Sequence, residues 1–210
     1  MNESGAVKFQ FERDKRELTP FPGFEELNAA RQSLRHLGLI GLDENGIGFG
    51  NVSLRDQESD SFCITGTATG GRPELQLRDY ARVTDWDFSR NWLRCQGAVT
   101  ASAESLTHAA VYTADAKVRV VIHGHDHRLW KELLRQGAAT SSAAEYGTPA
   151  MAREVQRLFR ETEIRDKKIF AMGGHANGIV AFGSNFQEVL QILTPELERT
   201  RAQEMGSRPD

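Results

Sequence analysis

Two histidines separated by one glycine, His123 and His125, carry the strongest chemical signal in the sequence. They follow residues 118–122, an apolar run with the length of a buried strand. Because side chains alternate along a strand, both imidazoles would face the same side at its C-terminal end. Two neutral imidazoles placed in this way can chelate Zn²⁺. The pattern also fits two ordinary histidines at a strand end, and it leaves His127 open as a further ligand.

Two further groups could take part in chemistry. Glu104 and His108 are four residues apart, which places them on one face of a helix. A capped helix with a solvated acid in its first turn explains this pair equally well. His175 follows two glycines in a loop, where the backbone could approach a ligand closely. A lone loop histidine is also a common feature of a polar surface.

Two glycine-containing segments offer backbone N–H groups and small hydroxyls. They span residues 50–53 (Gly-Asn-Val-Ser) and 65–67 (Thr-Gly-Thr). Such segments can hold an anion such as phosphate, although turn formation alone would also account for them. Neither segment matches a Walker motif or a dinucleotide fingerprint, which argues against a nucleotide ligand.

The elements that must position these residues follow from periodicity and turn signals. Strands are predicted at residues 51–55, 61–65, 80–87, 92–96, 118–123, 168–172 and 178–182. Helices are predicted to begin at residues 24, 102, 128, 149 and 185, and the last of these to end near residue 194, before a proline. Strands interspersed with helices and a hairpin predict an α/β fold. We expect a three-layer α/β/α sandwich around a mostly antiparallel central sheet.

Composition limits the class of protein. The 210 residues are 39% hydrophobic and 26% charged, which is ordinary for a folded chain. With a net charge of −3 and no long basic run, nucleic acid and anionic membrane are not expected as partners. The two cysteines form no CxxC motif and no signal-like or membrane-spanning segment is visible, so a cytoplasmic location is expected. We predict a flexible arm over residues 1–20, one domain over 21–200 and a polar tail over 201–210.

Taken in order, six segments resemble the class II aldolase/adducin family, and the likeness extends over about residues 24–195. The segments are Gly50-Asn51-Val52-Ser53-Leu54-Arg55, Ile64-Thr65-Gly66-Thr67, Ala101-Ser102-Ala103-Glu104 with Thr107-His108-Ala109-Ala110-Val111-Tyr112, Val121-Ile122-His123-Gly124-His125, Tyr146-Gly147-Thr148 and Gly178-Ile179-Val180-Ala181-Phe182-Gly183. Six motifs in one order are far more specific than any one of them alone.

The resemblance implies a class II aldolase-like α/β/α fold and a cyclic homotetramer with sites at subunit interfaces. It implies Zn²⁺, or another divalent transition metal, held by His123, His125 and a third histidine from a later loop, here His175. Glu104 would be the catalytic acid/base. The substrate phosphate would be held by residues of the glycine-containing segments and the residue two before the acid: Gly50, Asn51, Ser53, Thr65, Gly66 and Ser102.

Three positions depart from the family pattern. The family's third ligand usually stands directly before the glycine that opens the final strand, where this chain has Asn177. The sugar-phosphate aldolases carry a second serine directly before the catalytic acid, where this chain has Ala103. A tyrosine that those aldolases carry near the Tyr-Gly-Thr segment is replaced by Ala143, which leaves Tyr146 either as a substitute or as a packing residue.

The resemblance predicts a metal-dependent lyase of carbohydrate metabolism. It would cleave a small hydroxy-carbonyl substrate, a sugar or a sugar-phosphate-like compound, by a reversible aldol reaction through a metal-stabilised ene-diolate. An epimerase, a dehydratase or a decarboxylase of the same fold is the alternative. A non-catalytic, adducin-like interaction scaffold is the alternative of another class.

Overall fold

The structure, a computed structural model, describes residues 6–205 of the chain. Its strands are β1 (Gln10–Asp14), β2 (Gly41–Leu42), β3 (Gly48–Phe49), β4 (Asn51–Arg55), β5 (Phe62–Thr65), β6 (Tyr80–Asp87), β7 (Trp92–Gln96), β8 (Val120–His125), β9 (Ile169–Ala171) and β10 (Gly178–Gly183). Its helices are α1 (Phe24–His36), α2 (Ser105–Ala114), α3 (His127–Arg135), α4 (Pro149–Glu161), α5 (Ile164–Lys167) and α6 (Phe186–Met205).

Eight of these strands form one sheet in the order β1-β7-β6-β5-β4-β8-β10-β9, and β2 pairs with β3 in a small separate hairpin. The α/β class is as predicted. The expectation of a mostly antiparallel sheet needs correction, because the sheet is mixed: β1 runs parallel to β7, with Gln10 opposite Trp92. The parallel pair brings the N-terminal segment to the sheet edge, where sequence periodicity indicated no strand.

Strand β1 lies within the predicted flexible arm over residues 1–20. This strand is exposed along much of its length, so it needs no alternation of apolar and polar residues. Phe9 and Leu18, which flank it, are buried in the core. Residues 1–5 lie outside the described residues, as does the end of the predicted tail, 206–210. The division into arm, single domain and tail stays a prediction.

Two hydrophobic clusters contain helices from the two sides of the sheet. Along β8, Val121 belongs to one cluster, while Val120 and Ile122 belong to the other, as alternation along a strand requires. The first cluster includes apolar residues of α2 and α4, and the second includes those of α1, α3 and α6. The two sets of alternating side chains of β8 therefore pack in clusters that contain different helices.

The last helix is longer than predicted. It continues through Pro195 to Met205, although a proline removes a backbone hydrogen bond and usually kinks or ends a helix. Val189, Leu193 and Leu197 are buried at four-residue spacing on both sides of the proline. Packing of this continuous face outweighs the local cost.

Within residues 6–205, no helix is both long enough and apolar enough to cross a bilayer.

Candidate metal centre

The C-terminal end of β8 brings the two histidines of the His-Gly-His motif to the centre of the sheet. Strand β8 lies between β4 and β10, with His123 opposite Asn51 on one side and Val180 on the other. His175 comes from the turn between β9 and β10, and the backbone N–H of Gly178 donates to its carbonyl oxygen. The sheet therefore places a loop histidine beside the two strand histidines.

The three imidazoles form a cluster that fits a divalent metal ion. One ring nitrogen each of His123, His125 and His175 lies within 4.8 Å of the others. The Nε2 atoms of His125 and His175 are 3.0 Å apart. Tetrahedral zinc with bonds of about 2.0–2.1 Å to nitrogen would need separations of roughly 3.3 Å, so small side-chain adjustments would suffice.

His123 shows why these nitrogens suit a cation. Its Nδ1 lies 3.1 Å from the carbonyl oxygen of Ile179, to which it can only donate, so the lone pair is on Nε2. That Nε2 is buried and has no hydrogen-bond partner among the described residues. Burial lowers the pKa of His123, His125 and His175 to about 3. The imidazoles are thus neutral at physiological pH, which is the form that binds metal.

Close packing around the cluster requires glycine at two positions. A Cβ atom at Gly124 would lie 2.9 Å from the Cβ of Leu39, and one at Gly178 would lie 2.6 Å from Cδ2 of His175. The ring of Phe49 stacks on His125 with centroids 4.9 Å apart. The spacing of the His-Gly-His motif thus reflects packing as well as coordination.

The departure at Asn177 has a structural explanation. Its side-chain oxygen accepts a hydrogen bond from Nδ1 of His127 at 2.8 Å, and its carbonyl accepts one from the backbone N–H of Asp126. Asn177 therefore ties the start of α3 to the loop, and the exposed His127 lies outside the cluster. The ring of Tyr146 packs against that of His175, with centroids 4.6 Å apart.

Glu104 lies next to the histidine cluster, directly before α2. Its Oε2 accepts hydrogen bonds from Nδ2 of Asn51 at 2.7 Å and from the hydroxyl of Ser102 at 3.2 Å. Its Oε1 lies 4.0 Å from Nε2 of His123 and 3.9 Å from Nε2 of His175. One carboxylate oxygen is thus anchored and the other faces His123 and His175. Helix α2 begins at Ser105 rather than at the predicted Ser102.

The residues expected to bind substrate divide into two sets. Gly50, Asn51, Gly66 and Ser102 line an open cleft together with Glu104 and the three histidines. Ser53 and Thr65 do not line it.

The hydroxyl of Ser53 lies 2.7 Å from Nδ1 of His108 and 2.6 Å from the hydroxyl of Tyr112, deep in the core. The hydroxyl of Thr65 accepts a hydrogen bond from the backbone N–H of Val52. That these two residues contact substrate stays a prediction. Both hydroxyls support β4 from inside the protein.

The loop after β5 forms a second wall of the cleft, which the sequence indicated only in part. The predicted amides of Gly66 and Thr67 donate to the carbonyl oxygens of Asp79 and Thr100. The following residues 67–70 also line the cleft. The sequence indicated only a glycine-rich turn here and not a cleft wall. The side chains are small, and the available donors are backbone N–H groups, which every residue type except proline carries.

Comparisons with known proteins agree with this geometry. The family model for the class II aldolase and adducin N-terminal domain matches residues 30–200. A search of the curated proteins finds no significant match.

Several solved structures share the fold at low sequence identity. The L-fuculose-1-phosphate aldolase from Thermus thermophilus superposes with a TM-score of 0.61 at 18% identity, over 89% of this chain and 97% of that one. YgbL from Klebsiella pneumoniae, described as a putative aldolase/epimerase/decarboxylase, has a TM-score of 0.64 at 21% identity, over 88% and 90%. A sugar-phosphate aldolase from Thermotoga maritima has a TM-score of 0.62 at 15% identity, over 88% and 96%.

The family match covers more than half of the chain, and the structural likeness covers nearly all of it. A buried three-histidine cluster that could bind a metal stands at the centre of the matched region. The chain belongs to the class II aldolase and adducin family.

Proposed function

We propose that this protein is a metal-dependent lyase that cleaves a small hydroxy-carbonyl compound by a reversible aldol reaction. One observation carries the proposal: three buried, neutral imidazoles converge within 4.8 Å, and the free oxygen of Glu104 faces two of them. A scaffold would gain nothing from burying three imidazoles and a carboxylate together, since such burial costs stability.

His123, His125 and His175 would hold the ion, and Zn²⁺ is the ion that three neutral histidines favour. The bound ion supplies a Lewis acid that stabilises negative charge developing on a substrate oxygen. Glu104 would act as the acid/base through Oε1, moving a proton to or from the carbon next to the carbonyl. Asn51 and Ser102 would hold Glu104 in place through Oε2, in addition to lining the substrate cleft.

The wall made by Gly50, Gly66 and residues 67–70 would hold the remote end of the substrate. Backbone N–H groups in such a loop suit an anionic group, and phosphate is the class that the aldolase relatives suggest. We place the protein in carbohydrate metabolism, as a cytoplasmic homotetramer with the helices forming outer layers on a central sheet. Epimerisation or decarboxylation would use the same residues, as the description of YgbL indicates for that relative.

The test is elemental analysis of protein purified without a chelator or a histidine tag. We expect about one divalent transition metal ion per chain. Metal-loaded protein is then assayed for condensation of aldehydes with hydroxy-ketone phosphates and with their unphosphorylated analogues. No metal after purification and none taken up on addition of Zn²⁺ would overturn the proposal. Such a result would favour the adducin-like scaffold.

A further inference from the structure

Arg31 is a fully buried arginine on α1, on the far side of the loop that forms the second wall of the cleft. Its side chain is 1% exposed. Its Nη1 donates to the carbonyl oxygen of Pro73 at 3.0 Å. Its Nη2 reaches the carbonyl oxygens of Thr69 at 3.0 Å, Gly70 at 3.3 Å and Arg72 at 2.5 Å. One guanidinium therefore gathers four carbonyl groups of the segment 69–73.

The charge of Arg31 has no carboxylate partner of its own among the described residues. The nearby Asp79 accepts hydrogen bonds from Nη1 of Arg72 at 2.5 Å and from the backbone N–H of Gln76 at 2.8 Å. Burial lowers the pKa of Arg31 to about 10, so the guanidinium is still charged at neutral pH. A buried cation that no carboxylate hydrogen-bonds is costly, and its field is little screened by water.

The contacts of Arg31 also determine how the loop faces the cleft. In a trans peptide the C=O and the following N–H point in opposite directions. Because the carbonyls of Thr69 and Gly70 point to Arg31, the N–H groups of Gly70 and Gly71 point away from it. Of these two residues only Gly70 lines the cleft, and its N–H has no hydrogen-bond partner among residues 6–205. Ala68, in the same loop, has a φ of +58°, a conformation found where successive N–H groups form an anion-binding concavity.

We propose that Arg31 is a positioning residue that makes this wall of the cleft attractive to an anion. It acts by turning the peptide N–H of residue 70 toward the cleft and by placing behind it a positive charge that no carboxylate hydrogen-bonds. Arg31 itself does not touch the ligand. This inference rests on the proposed function, in which the loop wall holds the phosphate-class end of the substrate.

Isothermal titration of inorganic phosphate into metal-loaded protein tests the role of the charge. Arg31→Gln keeps two hydrogen-bond donors but removes the charge, and should weaken phosphate binding about tenfold or more. Arg31→Lys keeps the charge and should stay within about threefold of the wild type. Arg153→Gln is the control, because Arg153 is exposed on α4 and makes no hydrogen bond to the loop within residues 6–205. Its phosphate affinity should be unchanged.

The result that overturns the inference is equal phosphate affinity in the wild type and Arg31→Gln, or no phosphate binding by the wild type. Equal losses of phosphate affinity in Arg31→Gln and Arg31→Lys would also overturn it. They would mean that the hydrogen bonds of the arginine side chain hold the loop and that its charge does not attract phosphate. Absence of metal in the wild type would instead overturn the proposed function, and elemental analysis measures it separately. Phosphate binding that depends on Arg31 in such a protein would still support the anion site.

Hydrogen–deuterium exchange on the wild type gives a second test that needs no variant. Phosphate should slow amide exchange in the peptide that covers residues 67–71. It should not slow exchange in α4, which lies on the other face of the sheet from α1. Unchanged exchange in residues 67–71 at saturating phosphate would contradict the role assigned to Arg31.

Discussion

Two groups of buried histidines show how the same residue type takes on different roles. His123, His125 and His175 converge beside Glu104 at the edge of the cleft. His108 lies fully buried behind them, joined to Ser53 and through it to Tyr112. The pKa of His108, like those of the other three, is lowered to about 3 by burial.

The difference lies in what surrounds the free nitrogen. Nε2 of both His108 and His123 is buried without a hydrogen-bond partner among the described residues. Only His123 has two other imidazole nitrogens close enough to share one ion. Burial and a lowered pKa therefore do not identify a functional histidine, whereas convergence of several lone pairs does.

Of the substitutions that test this comparison, replacement of His123 should have the largest effect on metal binding and activity. His123→Ala is expected to lose both metal and activity, because two imidazoles remain and one of them belongs to a loop. Elemental analysis and the condensation assay measure the two losses. The control is His127→Ala, which removes an exposed histidine bonded to Asn177 and should keep the metal. Stoichiometric metal in His123→Ala would refute its assignment.

Glu104→Gln should separate binding from chemistry within the histidine cluster. The amide fits the same space but cannot take up a proton, so turnover should fall by about 10²-fold or more while the metal is retained. Steady-state kinetics of the metal-loaded variant provide the measurement. Glu145→Gln, at an exposed acid near Lys8, is the control and should leave turnover unchanged. Near-normal turnover in Glu104→Gln would exclude Glu104 as the acid/base.

Acid should destabilise the metal-free protein, because the buried imidazoles cannot take up protons until the pH approaches 3. In the unfolded chain a histidine has a pKa of about 6.5, so below that pH the unfolded state binds more protons. The free energy of unfolding should therefore fall as the pH drops from about 6.5, by up to about 1.4 kcal/mol per pH unit for each such histidine. Urea unfolding between about pH 7.5 and pH 5 measures the slope, and a flat profile would contradict it.

His108→Leu should have the smallest effect, and it tests whether His108 is separate from the three-histidine cluster. The change removes the hydrogen bond to Ser53 and should lower the free energy of unfolding by about 1–3 kcal/mol near neutral pH. Metal content should be unchanged. The free energy of unfolding should fall less steeply with decreasing pH, because one fewer histidine takes up a proton on unfolding. Loss of metal in this variant would mean that the two histidine groups form one functional unit.

Much of the fold could be predicted from the sequence because its strands and helices have strong local patterns. Strands β6 and β7 have the predicted bounds, and the helix opened by Pro149 begins at that residue, capped by Thr148. Strand β1 was missed because an exposed edge strand has no apolar alternation. The extension of α6 was missed because Pro195 is a local stop signal that only long-range packing overrides.

The candidate site was predicted less completely than the fold. His123, His125, His175 and Glu104 were all identified, and the structure brings them together. The family resemblance named Ser53 as a substrate-binding residue, and in the structure its hydroxyl is hydrogen-bonded in the core, behind the cleft. Arg31 was missed because a single arginine on a helix usually lies on a solvated face.

The sequence by itself determined the family, the chemical types at the centre and the strand that carries two of the three histidines. Local order of the chain is enough for this, since spacing along a strand specifies which side chains share a face. Only the tertiary structure decided that His175 lies beside His123 and His125, that Asn51 and Ser102 hydrogen-bond Glu104, and that Arg31 lies behind the loop. Each of these depends on segments distant in sequence that meet through packing, and no local pattern records such a meeting.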